Sequence, residues 1–93
     1  MIGRVYAIVD KSNPEHYLYV GSTVLTLTQR WSKHKHKAKR YPERKIYKHI
    51  REHGWNQFEL QLLDQGLFVS MNAMHLHDEH YRTMYNPPLN MIK

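Results

Sequence analysis

The sequence has no cysteine, few acidic residues and no long apolar run. Without cysteine the chain cannot form a disulfide or a thiolate metal site, which permits an intracellular setting, and we expect the protein to be cytoplasmic. No apolar segment approaches the ~20 residues of a membrane helix, and the N-terminus lacks the apolar core of a signal peptide. We therefore expect neither a membrane partner nor a small domain held together by disulfides.

The scarcity of acidic residues leaves a strong positive charge. Lys and Arg number 14 against 8 Asp and Glu, so the net charge is +6 on 93 residues. Such an excess favours a polyanionic partner, usually nucleic acid, although a basic surface that only aids solubility is the alternative. The length predicts a single domain over residues 1–93. Because the chain opens at Met1 with a strand-like segment, we expect a complete, freestanding product.

Two segments rich in β-branched and aromatic residues predict a β-hairpin. They cover residues 5–9 and 17–20, and turn-forming residues lie between them. A hairpin that is symmetric about residues 12 and 13 places Tyr6 directly opposite Tyr19, on the same face of the sheet. The two hydroxyls could then serve one site, although an ordinary aromatic pair is the alternative. Gly21 is expected to serve the backbone geometry after this strand.

A capping-box pattern at residues 26–29 predicts a helix from about Leu27 to Arg40. Arg30 and His34 are i, i+4 neighbours on it, where the helix is expected to meet the sheet. Its buried stripe should consist of Leu27, Trp31, His34 and Ala38.

The remaining chain predicts two more helices and one more strand. A second helix is expected from Pro42 to the stop at Gly54, with Ile46, Tyr47 and Ile50 inward. Alternating apolar residues over 58–62 predict a third strand, and a last helix should span 69–85, before two prolines. The fold class is therefore α+β, a three-stranded antiparallel sheet flanked by about three helices in the order β-β-α-α-β-α.

Few acidic residues are available to bind a metal. Most occupy turn or surface positions, and Asp78 and Glu79 on the last helix remain. One carboxylate can hold a magnesium ion if waters and phosphate oxygens complete its shell. The helical wheel places Asp78 closer than Glu79 to the face that carries Met71, Met74 and Tyr81.

Five short segments, in this order, resemble the GIY-YIG nuclease superfamily. They are Tyr6, Tyr19-Val20-Gly21, Arg30-Trp31-Ser32-Lys33-His34, Glu79-His80-Tyr81 and Asn90, and residues 49–59 are similar to the family's connector into its third strand. The resemblance runs through nearly the whole chain. It implies a three-stranded sheet with flanking helices and metal-dependent endonucleolytic cleavage of DNA.

The resemblance also implies a catalytic set of Tyr6, Tyr19, Arg30, His34, Glu79 and Asn90. Tyr6 would deprotonate or position the attacking water, and Tyr19 and His34 would complete the hydrogen-bond network around it. Arg30 would bind the scissile phosphate. Glu79 would hold the metal, Mg²⁺ or Mn²⁺, in the family register, whereas the helical wheel alone favours Asp78. Asn90 would brace the site.

Two departures from the family pattern keep other functions open. The first motif reads Arg4-Val5-Tyr6 and lacks the family's leading glycine, and the usual large apolar residue after Glu79 is replaced by Arg82 or Thr83. The alternatives are an inactive nucleic-acid-binding module on the same fold and a small interaction module for an acidic protein.

Phosphate contacts are expected from a lysine-rich helix surface. The predicted nucleic-acid-binding residues are Lys33, Lys35, Lys37, Lys39, Arg40 and Lys45. On 93 residues we expect no appended sequence-reading module, and we therefore expect specificity to come from the catalytic domain, DNA structure, homodimerisation or a partner protein. Compact, freestanding chains of this kind resemble those of mobile elements, phages and viruses.

Overall fold

The computed structural model describes residues 1–90 and has the element order that the sequence predicts. The strands are β1 (Ile2–Asp10), β2 (Asn13–Thr23) and β3 (Phe58–Leu67), and the helices are α1 (Leu27–Arg40), α2 (Lys45–His53) and α3 (Met71–Tyr85), with a short 3₁₀ turn at Trp55–Gln57. The predicted α+β class with a three-stranded antiparallel sheet is confirmed. Within residues 1–90, no helix combines the length and the apolar character needed to cross a membrane.

The central strand β1 has both of its faces covered. The sheet order is β2-β1-β3, and residues 5–9 of β1 are fully buried. Because side chains alternate along a strand, Tyr6 and Ile8 pack with α1 and α2, whereas Val5, Ala7 and Val9 face Tyr81 of α3. The sheet therefore lies between α1 and α2 on one face and α3 on the other.

The β-hairpin keeps the predicted strands but not the predicted register. Tyr6 pairs with Gly21, and Tyr19 pairs with Ile8, so the prediction that Tyr6 lies directly opposite Tyr19 is wrong. Two irregularities between Ile8 and Asp10 shift the pairing by an even number of residues. An even shift leaves each side chain on its original face, so both tyrosines still face α1.

The helix α1 has the bounds and the capping box that the sequence predicts. The Thr26 hydroxyl accepts a hydrogen bond from the Gln29 backbone, and the Gln29 side chain binds the Thr26 backbone in return. His34 is the one buried residue of this helix. Leu27, Trp31 and Ala38 pack against the core beside it, as the predicted stripe requires.

Helix α2 and strand β3 differ from the predictions in their bounds. Helix α2 begins at Lys45 rather than at Pro42, because residues 42–44 form a turn, and it ends as predicted at Gly54, whose φ is 90°. Ile46, Tyr47 and Ile50 are buried as expected. Strand β3 continues to Leu67, beyond a bulge that interrupts its alternating pattern.

The chain after α3 covers the outer edge of the sheet. Helix α3 begins after the N-cap Ser70 and ends at Asn86, which has a left-handed backbone, just before the two prolines. The Leu89 N–H then donates to the Leu18 carbonyl at 2.9 Å. The Asn90 side chain forms two hydrogen bonds of 2.8 Å with the backbone of Val20. Strand β2 is thus bound on both of its edges.

Candidate active site

A cavity of about 400 Å³ lies at strand β2 and is lined by residues of β1, β2, α1 and α3. It collects side chains from four elements that are distant in the sequence. Its lining consists of Tyr6, Tyr19, Val20, Gly21, Ser22, Arg30, His75, Asp78 and Arg82. Three of the six predicted catalytic residues, the two tyrosines and the arginine, therefore share one cavity.

Tyr6 is the centre of the hydrogen-bond network behind this cavity. Arg30 Nε donates to the Tyr6 hydroxyl at 2.9 Å, and His34 Nε2 lies 2.7 Å from the same oxygen. The other ring nitrogen of His34 lies 2.9 Å from the hydroxyl of Tyr47 on α2. His34 is not among the residues that line the cavity; it is 1 % exposed and holds Tyr6 from behind.

Burial determines the protonation of this network. It lowers the pKa of His34 to about 3, and the positive charges of Arg30 and Lys37 add to the effect. Burial also raises the pKa of the Tyr6 phenol, which Arg30 only partly opposes. Both groups are therefore neutral near pH 7. A neutral imidazole has one N–H, so one tyrosine donates to His34 and the other accepts from it.

Gly21 leaves the space that the Tyr6 hydroxyl occupies. A Cβ atom at this position would lie 2.8 Å from the Tyr6 oxygen and 3.1 Å from the Tyr19 ring. The backbone of Gly21 does not have a positive φ, so the expected conformational role is not its function. The Tyr6 and Tyr19 rings are 6.4 Å apart, and burial raises the pKa of Tyr19 as well.

Asp78 is the carboxylate of the cavity. It is 4 % exposed, its Oδ2 accepts a hydrogen bond from the Ser22 hydroxyl, and His75 Nδ1 lies 3.3 Å from the same oxygen. Arg82 Nη2 approaches Oδ1 to 3.0 Å. The approach lacks hydrogen-bond geometry, so within residues 1–90 Oδ1 is a buried acceptor without a hydrogen bond.

The structure does not bring Glu79 to this cavity. Glu79 is exposed and is absent from the lining, because neighbouring residues on a helix point about 100° apart and Asp78 takes the inward direction. The metal-binding role that the family register implied for Glu79 therefore has no support from the geometry. The helical wheel, which favoured Asp78, agrees with it.

The donor set at Asp78 fits a divalent ion held by a single carboxylate. A buried carboxylate oxygen without a hydrogen bond, at the wall of a polar cavity, could hold a cation whose remaining ligands would be water and phosphate oxygens. In the part of the chain that the structure describes, no three His, Asp or Glu side chains gather as a self-sufficient metal site. Arg82 is the cation that currently balances the carboxylate.

The other predicted residues lie around the cavity rather than in it. Asn90 holds the β2 backbone at Val20, between Tyr19 and Gly21. Five of the predicted phosphate contacts, Lys33, Lys35, Lys37, Lys39 and Arg40, lie on α1, and Lys45 is the first residue of α2. Burial, together with Arg30, lowers the pKa of Lys37, the lysine of this set that is partly buried close to the site.

Sequence reasoning did not identify four polar neighbours of the site: Ser22, Tyr47, His75 and Arg82. His75 and Arg82 lie three residues before and four residues after Asp78, so they share its helix face. This spacing was a usable signal once Asp78 was chosen. The contacts of Ser22 and Tyr47 connect distant parts of the chain, and no local pattern indicates them.

Comparison with known proteins gives a family match and two viral relatives. A model of the GIY-YIG catalytic domain matches residues 2–65, which include both tyrosines, Arg30 and His34 but not α3. The "Putative MSV199 domain-containing protein 146R" of Invertebrate iridescent virus 6 is 29% identical over 76 residues, 82% of this chain and 31% of that protein. The "Uncharacterized protein 019R" of the same virus is 36% identical over 76 residues, 78% of this chain and 26% of that protein. The chain thus spans less than a third of either relative, and no solved structure matches it.

Proposed function

The chain belongs to the GIY-YIG family of catalytic domains, and on this basis we propose that it is a metal-dependent endonuclease that hydrolyses DNA phosphodiester bonds. The observation that carries the proposal is the single cavity that joins two phenols, an arginine and a buried carboxylate. The net charge of +6 supports a polyanionic substrate.

Arg30 is suited to bind the scissile phosphate. Its Nε is engaged by Tyr6, which fixes the plane of the guanidinium and leaves both Nη groups for phosphate oxygens. The guanidinium remains charged at all relevant pH values. It can therefore stabilise the negative charge that develops on the phosphate as the bond to the leaving oxygen breaks.

Tyr6 and Tyr19 are suited to orient the attacking water as neutral phenols. The Tyr6 oxygen is fixed by Arg30 on one side and by His34 on the other. Because burial raises the pKa of both phenols, neither is a phenolate near pH 7 in the absence of further positive charge. We therefore assign Tyr6 to positioning the nucleophile rather than to removing its proton unaided.

Asp78 is the residue that we propose as the metal ligand, and Mg²⁺ or Mn²⁺ is the proposed ion. Ser22 binds Oδ2 of the carboxylate, so Oδ1 is the oxygen that would hold the divalent ion. A bound divalent ion would neutralise charge on the phosphate and on the leaving oxygen. Asn90 keeps β2 in place beneath the two phenols.

A plasmid-nicking assay that compares variants of the adjacent carboxylates Asp78 and Glu79 tests this assignment. We expect wild-type protein to nick DNA with Mg²⁺ and to stop when a chelator is added. Asp78→Asn keeps the shape of the side chain and removes its charge, so cleavage should fall by at least about 100-fold. Glu79→Gln removes the same charge from the exposed neighbour and should leave cleavage within about twofold of wild type.

Binding and melting measurements accompany this pair. Both variants should melt as single transitions and bind duplex DNA with nearly wild-type affinity. Retained cleavage in Asp78→Asn, or its loss in Glu79→Gln, would show that the metal ligand is misassigned. Arg82, paired with Asp78, favours one other function, an inactive DNA-binding module. Wild-type protein that binds DNA but cuts none would establish that alternative.

A further inference from the structure

A second cavity, of about 500 Å³, lies between α1 and α2 and is separate from the candidate active site. We call it the α1–α2 cavity. Its walls are mostly apolar, and three basic side chains stand around them. The residues that matter for the argument are Trp55, Tyr47, Pro42, Lys35, Lys39 and Arg51.

We propose that the α1–α2 cavity binds one unpaired nucleotide of a DNA strand. The base stacks on Trp55, and Lys35 and Lys39 hold the neighbouring phosphates. The proposal rests on the proposed function, because it concerns the same DNA substrate. It adds a site for single-stranded DNA that the cleavage chemistry does not require.

Trp55 offers a fixed aromatic surface to a base. Its ring packs edge-to-face against Trp31 at 5.1 Å, and Trp31 in turn packs on the core. Trp55 is itself only partly buried, so it keeps an accessible part inside the cavity. Bases of every type stack on aromatic side chains, which makes such a surface useful for single strands of any sequence.

The cations around the cavity suit a phosphate backbone. Lys35 and Lys39 are i, i+4 neighbours on α1. Arg51 on α2 donates a hydrogen bond of 3.3 Å to the carbonyl of Pro42, in the turn between the two helices. No acidic residue is among the residues found to line this cavity. Within residues 1–90, none of the three cations forms an ion pair with a carboxylate. A nucleobase, with its planar apolar faces and adjoining phosphates, matches this surface better than an acidic peptide does.

The α1–α2 cavity is also close to the candidate active site. Tyr47 lines it, and the Tyr47 hydroxyl contacts the same imidazole that holds Tyr6 from the other side. Only the His34 ring separates the two hydroxyls. Tyr6 lines one cavity and Tyr47 lines the other, so this hydrogen-bonded network connects the two cavities.

The test compares DNA with and without an unpaired base in the presence of a chelator. Wild-type protein should bind a short duplex with a single-stranded overhang more tightly than a blunt duplex. Trp55→Ala should weaken binding of the overhang by about 5- to 100-fold, the range expected for one stacked base, and should leave blunt-duplex binding within about twofold. An overhang with abasic sites should bind wild-type protein as poorly as the intact overhang binds Trp55→Ala.

Further variants and one DNA control keep the outcome decisive. The double variant Lys35→Ala, Lys39→Ala should reduce the salt dependence of overhang binding. Lys48 is exposed on α2 and lies outside the cavity lining. Lys48→Ala should therefore leave the ratio of overhang affinity to duplex affinity unchanged. If Trp55→Ala does not fold, Trp55→Phe and the abasic DNA, which needs only wild-type protein, give the answer. Equal binding of abasic and intact overhangs overturns the proposal. Because cleavage is not measured, its absence leaves this test unaffected.

Discussion

His34 is buried as a neutral imidazole, and this should make the fold sensitive to acid. Its pKa is lowered from an ordinary 6.5 to about 3 in the folded protein. The unfolded chain therefore binds a proton at His34 below about pH 6.5, whereas the native protein binds it only near pH 3. The contribution to the free energy of unfolding is fully present above pH 6.5 and is lost as the pH falls toward 3.

The size of this effect follows from the pKa difference. Each pH unit between the two values costs about 1.4 kcal/mol of stability, so the whole shift amounts to roughly 5 kcal/mol. A domain of 93 residues has a total stability of roughly 5–10 kcal/mol. Proton uptake by His34 in the unfolded chain should therefore remove a large part of the stability as the pH falls from 6.5 toward 3.

Urea unfolding at a series of pH values measures the effect, with tryptophan fluorescence as the probe. His34→Gln cannot titrate and should be less stable than wild type at neutral pH by about 1–3 kcal/mol, because it cannot reproduce both hydrogen bonds. Between about pH 6 and pH 4 its stability should fall less steeply than that of wild type, by about 1.4 kcal/mol per pH unit. Because this loss exceeds the deficit of the variant at neutral pH, the two curves should cross, and His34→Gln should be the more stable protein near pH 3.

A matched histidine serves as the control. His36 lies on the same helix but is exposed, and His36→Gln should retain the pH dependence of wild type. Parallel curves for wild type and His34→Gln between about pH 6 and pH 4 would refute the reasoning. They would mean that His34 takes up its proton in the folded protein as readily as in the unfolded chain.

Two further predictions concern the cavity walls. Gly21→Ala places a methyl group where the Tyr6 hydroxyl lies and should reduce the rate of single-turnover cleavage by about 100-fold. Gly66→Ala has open space around it and should leave this rate unchanged. Equal cleavage rates in the two variants would contradict the packing argument. Arg82→Leu removes the cation beside Asp78 and should lower the Mg²⁺ concentration for half-maximal cleavage by roughly twofold to fivefold. An unchanged or higher requirement in a magnesium titration would show that Arg82 does not compete with the ion.

The elements of the fold were predictable where a local signal specifies them. The capping box set the start of α1, and the apolar spacing set its buried stripe. Proline preference placed the start of α2 too early, because Pro42 lies in the turn before the helix. The prediction of the hairpin register was wrong because nothing in the turn sequence indicates the irregularities between Ile8 and Asp10.

The site was predictable in part for the same reason. The face shared by Tyr6 and Tyr19 depends only on the two-residue period of a strand, which an even register shift preserves. The choice between Asp78 and Glu79 depends on the rotation of one helix, and the periodicity of α3 indicated it better than the family register. Long-range contacts such as Ser22 with Asp78 have no periodic signature.

The hydrogen bonds that Leu89 and Asn90 make along β2 have a consequence beyond the site. An exposed sheet edge offers unpaired N–H and carbonyl groups to any passing strand, including the same strand of a second molecule. Here Leu89 and Asn90 occupy backbone groups of Leu18 and Val20 that face outward. The two residues thus protect the molecule from self-association by strand addition at this part of the edge.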